Sequence, residues 1–261
     1  MDTKMMPALF IGHGSPMNVL EDNTYTRLWS KLGETLPQPK AILVISAHWY
    51  TDGTYVTAMS QPKTIHDFYG FPPELYAIEY PARGSIGLAA LIEDLIDPIK
   101  LKLDMDQWGL DHGSWGILEK MYPNANIPVV QLSIDARQSA QWHYELGQKL
   151  VELRKEGVLI IGSGNIVHNL RMMDWQNSNA TPYSWALAFN ETVENSLRSD
   201  NVPETLFTIL STEEGRLAHP TPDHFLPVLY LLGLKQEGEK VTVLNNDIVN
   251  KSLSMMTFQI G

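Results

Sequence analysis

Ala8-Leu9-Phe10-Ile11-Gly12-His13-Gly14-Ser15-Pro16 joins a short apolar run to a glycine-flanked histidine. Bulky and β-branched residues bounded by turn formers predict a strand that ends where the glycines begin. Runs of the same kind recur at Ala41–Ser46, Val129–Ser133 and Val158–Ile161. The intervening segments carry helical patterns. Over Ser139–Glu156, Trp142, Leu146, Leu150 and Leu153 recur at spacings of three and four, and Gly157 supplies a stop. Further helices are expected over Ile86–Leu95, Tyr183–Leu197 and Phe225–Leu232, and strands over Lys240–Leu244 and Leu253–Ile260. Strands alternating with helices predict an α/β sheet covered on both faces.

The 261 residues hold no Ser/Gly linker, charge block or internal repeat between two halves, so residues 1–261 are read as one domain. With 19 Lys and Arg against 30 Asp and Glu, the net charge of −11 argues against nucleic acid or an anionic membrane as partner. Cysteine is absent, which excludes disulfides, thiolate metal sites and cysteine nucleophiles, and leaves His, Asp and Glu as the strong metal ligands. No run reaches the roughly 20 apolar residues of a membrane span, and Met1-Asp2-Thr3-Lys4 lacks the order of a signal peptide. A soluble, cytoplasmic protein is expected.

In open α/β sheets ligands bind beyond the carboxyl ends of the strands. His13 follows the first run, Ser46-Ala47-His48-Trp49 the second, and Gly162-Ser163-Gly164-Asn165 with His168 the Val158–Ile161 run. A shared sheet edge would bring these three histidines together. His219 and His224 lie in the Pro-rich turn His219-Pro220-Thr221-Pro222-Asp223-His224, and His112 lies in what reads as a Gly-flanked loop, Gly109-Leu110-Asp111-His112-Gly113-Ser114-Trp115. Placement of His13, His48, His168 and His224 beside Gly, Ser or Pro argues for a shared metal or acid/base site. Any histidine alone reads more simply as a hydrogen-bonded surface or core residue. His143, within the Ser139–Glu156 helix, keeps that reading, and His66 is either a loop residue or part of a pocket wall.

Neutral imidazole suits zinc and ferrous iron, and three protein ligands with open positions make a catalytic type of site. No local His-Glu-x-x-His spacing is present, so the fold must assemble it. Neither Gly12-His13-Gly14-Ser15 nor Gly162-Ser163-Gly164-Asn165 completes a nucleotide-binding loop, and no Gly-x-Ser-x-Gly elbow supports a serine triad. Phe68, Tyr69, Trp49 and Trp115 are equally well read as pocket wall or as core.

Pro7–Met17, Ser46–Trp49, Thr64-Ile65-His66-Asp67-Phe68, Gly109–Trp115, Gly162–Asn169 and Pro220–His224 together resemble the 4,5-DOPA extradiol dioxygenase family. This is a branch of the class III extradiol ring-cleaving dioxygenases. The motifs come in the family's order over nearly the whole chain, and the chain looks like a bacterial member. The resemblance implies a single α/β domain with a central mixed sheet and one mononuclear metal ion, Fe(II) for activity and often Zn(II) in purified protein. It maps the metal site onto His13, His48 and His224, with His168 as fourth ligand or as the acid/base residue. His112 maps onto a second pocket histidine that contacts substrate or oxygen. The wider class uses two histidines and a carboxylate, whereas this chain offers His224 with Asp223 beside it.

The implied activity is O2-dependent opening of a catechol such as L-DOPA to a semialdehyde. In it His168, with an ordinary pKa near 6.5, takes a hydroxyl proton, and His112 stabilises charge on oxygen and returns a proton. The expected partners are a small catechol and O2, in a monomer or small homo-oligomer. The rival from another class is a zinc hydrolase on the same histidines, which needs no O2. A third reading is a non-catalytic metal-binding or ligand-sensing protein.

Overall fold

The computed structural model describes residues 5–199 and 202–261. The strands are β1 (Ala8–Gly12), β2 (Ala41–Thr51), β3 (Thr54–Thr57), β4 (Leu101–Asp104), β5 (Val129–Asp135), β6 (Val158–Gly164), β7 (Val241–Asn245), β8 (Ile248–Val249), β9 (Leu253–Ser254) and β10 (Thr257–Ile260). Eight form one mixed sheet in the order β4-β3-β5-β2-β6-β1-β10-β7, and β8 pairs with β9 apart from it. At its centre β5, β2, β6 and β1 run parallel, so their carboxyl ends share one edge. The helices are α1 (Thr24–Thr35), α2 (Pro73–Tyr76), α3 (Ile86–Ile96), α4 (His112–Met121), α5 (Ala140–Lys149), α6 (Val151–Lys155), α7 (Ser184–Leu197), α8 (Thr205–Thr208), α9 (Glu213–Ala218) and α10 (Leu226–Leu234). None is long and apolar enough to cross a membrane, among the described residues.

Alternation along each central strand feeds two cores. Ala8, Phe10, Leu43, Ile45 and Ile160 face one layer with α3, α5, α7 and α10. Leu9, Ile11, Ile42, Val44 and Ile161 face the other, with Trp29 and Leu32 of α1 and Trp115 and Leu118 of α4. Burial on both faces explains why these strands read as continuous apolar runs. Helix α10 is buried along its whole length, as a helix apolar on every side must be.

Several expectations need correction. The single helix expected over Ser139–Glu156 is two, because Leu150 N–H bonds to Gly147 and Leu153 N–H to Leu150, tightening the chain between α5 and α6. The strand expected over Leu253–Ile260 breaks at Met255-Met256, whose backbone instead bonds Asp247 and Gly12. Residues 112–115 are not a loop: Asp111 accepts the Ser114 N–H as an N-cap, and His112 is the first residue of α4. His48 lies within β2, not beyond it. Short β3 and β4 carried too little apolar periodicity to be anticipated. Helix α1, capped by Asn23 and Thr26, adds to the expected helices although Tyr25, Leu28, Trp29 and Leu32 recur at spacings of three and four.

Candidate metal centre

Register brings the histidines together. Gly12 pairs with Gly164 and Ser46 with Ser163, so His13, His48 and the chain leaving β6 emerge side by side. Between Ile45 and Tyr50 the five-residue advance of β2 is matched by only two on β5, Leu132 to Ile134. The ladder opens there, and the displaced segment carries His48. His224 arrives from the opposite direction, in the turn that enters α10. Its carbonyl oxygen accepts the Asn165 N–H and would lie 2.3 Å from a Cβ at position 164, so only glycine there lets the turn sit against β6. Gly162-Ser163-Gly164 is therefore a packing device with a serine aimed at the site.

His13 Nε2 and His48 Nε2 are 3.1 Å apart. Ring centroids place His224 5.2 Å from His13 and 5.1 Å from His48, and His168 stacks on His224 at 3.5 Å with planes 3° apart. His112 packs edge-on to His48 at 3.9 Å. Ligand atoms of His13, His48 and His112 all lie within 4.8 Å of one another, the single such trio of His, Asp or Glu groups among the described residues. His224 borders that trio without joining it, so the geometry adds His112 to the first circle around His13 and His48.

Hydrogen accounting assigns the lone pairs. Ser163 Oγ donates its one proton to the Gly113 carbonyl at 2.6 Å, so across its 2.9 Å contact with His13 it must accept the Nδ1–H. His112 Nδ1 donates to Asp67 Oδ1 at 3.0 Å, and His224 Nδ1 donates to Asp223. His48 Nδ1 makes an ion-pair contact with Asp67 Oδ2 at 2.9 Å, although its N–H does not point straight at that oxygen. Three of the four rings thus have Nδ1–H bonded to an oxygen and Nε2 left over, and His48 has an oxygen 2.9 Å from Nδ1, the pattern of histidines that bind metal through Nε2. Two neutral rings would then face each other across 3.1 Å as lone pair against lone pair. Either His48 carries its proton on Nε2 and donates it to His13, or a cation lies between the two nitrogens. Two nitrogens at about 2.0–2.1 Å from one ion fall about 3.0–3.4 Å apart, so the donor set fits a metal.

The electrostatics agree. Burial, then the crowding of other imidazoles, pushes His13 and His224 well below the ordinary histidine pKa. Burial and neighbouring His48 lower His112, and burial pushes His168 down to about 4. His48 runs the other way: burial opposes its charge, but Asp67 and the more distant Asp111 and Asp223 outweigh burial and raise it. Asp67 is held well below the usual carboxylate range because the bonds from His112 and His48 overcome its own burial. Behind His48, buried Asp111 accepts from Ser46 Oγ at 2.7 Å and from the Gln131 side chain, and burial raises its pKa.

These rings floor a cavity of about 230 Å³ whose walls include Phe68, Phe71, Met173, Trp175 and Leu253. Of the expected aromatics only Phe68 lines it. Trp49 stacks on Trp108 at 5.7 Å, away from the cavity, and Trp115 is core, its indole N–H donating to Ile65. Tyr69 is 92% exposed. His66 donates to the Ile78 carbonyl behind Phe68 and Trp115 and does not reach the cavity. His143 is buried against Tyr230. His219 turns inward to the Ile166 carbonyl at 2.7 Å among Phe189 and Phe225, outside the site. Asp67 escaped notice, although it stands in the Thr64–Phe68 motif. A carboxylate between His66 and the aromatic run Phe68-Tyr69-Gly70-Phe71 was the available signal.

The fold and site have known relatives. The chain is similar to the 4,5-DOPA dioxygenase extradiol of Escherichia coli (strain K12), 54% identical over 263 residues that span 100% of this chain and 97% of the relative. It is 40% identical to the 4,5-DOPA dioxygenase extradiol of Beta vulgaris, over 91% of this chain and 90% of the relative. The crystal structure of an uncharacterized protein from Escherichia coli K12 superposes with a TM-score of 0.87 at 51% identity, covering 98% of this chain and 100% of that one. The family model described as the catalytic LigB subunit of aromatic ring-opening dioxygenase matches residues 7–257. Matched along almost all of its length, the chain belongs to this LigB family and is an extradiol dioxygenase.

Proposed function

We propose that this enzyme opens catechols, L-DOPA among them, beside the diol, using one ferrous ion held by Nε2 of His13, His48 and His224, the last taken over His112 because the family resemblance maps the third ligand onto it, although His112 lies nearer to the pair. The observation that carries this reading is the facing Nε2 atoms of His13 and His48 at the floor of a ring-sized apolar cavity. A bound ferrous ion supplies the acidified catechol hydroxyl and the redox link to O2 that zinc, which does not change oxidation state, lacks.

The protein's own groups do the rest. Phe68, Phe71 and Met173 hold the ring and keep water from it. His168 is neutral at physiological pH and takes the second hydroxyl proton on a ring nitrogen. His112, with Nδ1–H held on Asp67, takes up a proton at Nε2 and hands it on, the carboxylate stabilising the imidazolium. His168 stacked on His224 serves as base in this scheme and leaves coordination to the other three. The enzyme works on a small molecule and O2 as a single catalytic domain in the cytoplasm.

An oxygen electrode with iron-loaded protein and a small catechol panel tests this. Oxygen uptake matched by a semialdehyde chromophore is expected, with none from zinc-loaded protein. Turnover under strict anaerobiosis would replace the oxygenase with a hydrolase.

A further inference from the structure

The Asp67 carboxylate is shared. Oδ1 accepts the Nδ1–H of His112 at 3.0 Å and the His112 backbone N–H at 2.9 Å. Oδ2 is buried and accepts no well-aligned hydrogen bond, and the group closest to supplying one is His48 Nδ1, in ion-pair contact at 2.9 Å. One side chain therefore grips the far nitrogen of a ring assigned to the metal and of a ring assigned to proton transfer. The two rings touch, with centroids 3.9 Å apart, so neither can turn without disturbing the other.

We infer that Asp67 is a positioning residue that couples metal retention to the orientation of His112, through one carboxylate bridging the Nδ1 atoms of His48 and His112. The inference rests on the roles proposed above for those two histidines. Removing the carboxylate should have two separable effects. The first is weaker metal binding, because an unanchored His48 ring no longer presents Nε2 in a fixed direction; outer-shell partners of this kind generally account for about 10–100-fold in affinity. The second is slower turnover at saturating metal, because His112 loses its fixed orientation.

Two variants and their combination test it. For Asp67→Asn, chelator competition with zinc should show affinity down about 10–100-fold. At saturating iron, kcat should fall about 10-fold or more with KM little changed, as an interaction acting mainly on the chemical step requires. His112→Gln should retain wild-type zinc affinity while losing kcat. In the double variant the kcat loss should be no greater than in His112→Gln alone, while the affinity loss persists. Equal kcat losses from Asp67→Asn in both backgrounds, or unchanged zinc affinity, would overturn the coupling. His112→Gln with full turnover would also overturn it, by way of the underlying role of His112, which the zinc measurement distinguishes.

Should Asp67→Asn not fold, histidine-selective nitrogen NMR of the wild-type protein decides. Both His48 and His112 should carry the Nδ1 proton with and without zinc. Either ring found deprotonated at Nδ1 would overturn the bridge.

Discussion

His13 and His48, 35 positions apart, meet Nε2 to Nε2 at 3.1 Å because Gly12 and Ser46 pair with adjacent residues of one strand, β6. Removal of either ring should therefore empty the site. His13→Ala and His48→Ala should each lose stoichiometric metal after dialysis, read by elemental analysis. In the wild type, stripping the metal with a chelator and returning zinc at 100 times its Kd should raise stability by about 2.7 kcal/mol, seen as a higher melting temperature. The variants should show no such rise.

His168 has a different expected signature. Stacked on His224 and neutral, it is assigned proton transfer, and His168→Ala should cut ring-opening turnover about 10²–10⁴-fold. Metal affinity should change far less than in His48→Ala. Metal loss equal to that of His48→Ala would make it a ligand instead.

Gly113 tests how tightly the site is packed. A Cβ there would lie 2.7 Å from Ser46 Oγ, 3.0 Å from His48 Cδ2 and 3.1 Å from Ser163 Oγ, the group that fixes His13. Gly113 is helical, so alanine gains roughly 1 kcal/mol of intrinsic propensity. The clash nevertheless falls on the supports of two proposed ligands at once. Gly113→Ala should lower zinc affinity about 10-fold or more by chelator competition, as loss of an outer-shell partner does.

Acid stability should report His143, remote from the metal centre. Burial pushes its pKa down to about 4, with Asp135 only partly opposing. Unfolded, the ring titrates near 6.5, so between these values the unfolded chain binds a proton that the folded one does not. Stability present above pH 6.5 is lost as pH falls towards 4, by at most about 3 kcal/mol from this residue. His143→Gln should show a smaller drop in urea midpoint between pH 7 and pH 5 than the wild type. An identical drop would remove His143 from the acid response.

The parallel centre of the fold was legible because β1, β2, β5 and β6 are buried on both faces, which writes continuous apolar runs into the sequence. Strands β3 and β4, four residues each, leave no such trace: β4 is a partly exposed edge, and β3, though largely buried, is half threonine. For the site, strand ends announced His13 and His168, and the Pro-rich turn announced His224. The structure gathers His48 beside them from an opened ladder inside β2 rather than from beyond a strand end. The sequence could not show that His219 turns inward while His224, five residues on, faces the cavity, because the turn geometry between them decides it. Nor could it show Asp67 beneath two rings, since its partners lie 19 and 45 positions away.

Anomalous diffraction from crystals of the iron-loaded protein, collected at the iron edge, bears most directly on the convergence of these imidazoles. A single peak is predicted about 2.0–2.3 Å from Nε2 of His13 and of His48, with His224 closing the third position and the Phe68 side left open for substrate. A peak bound elsewhere, or none between His13 and His48 in protein that still consumes oxygen with a catechol, would contradict the account.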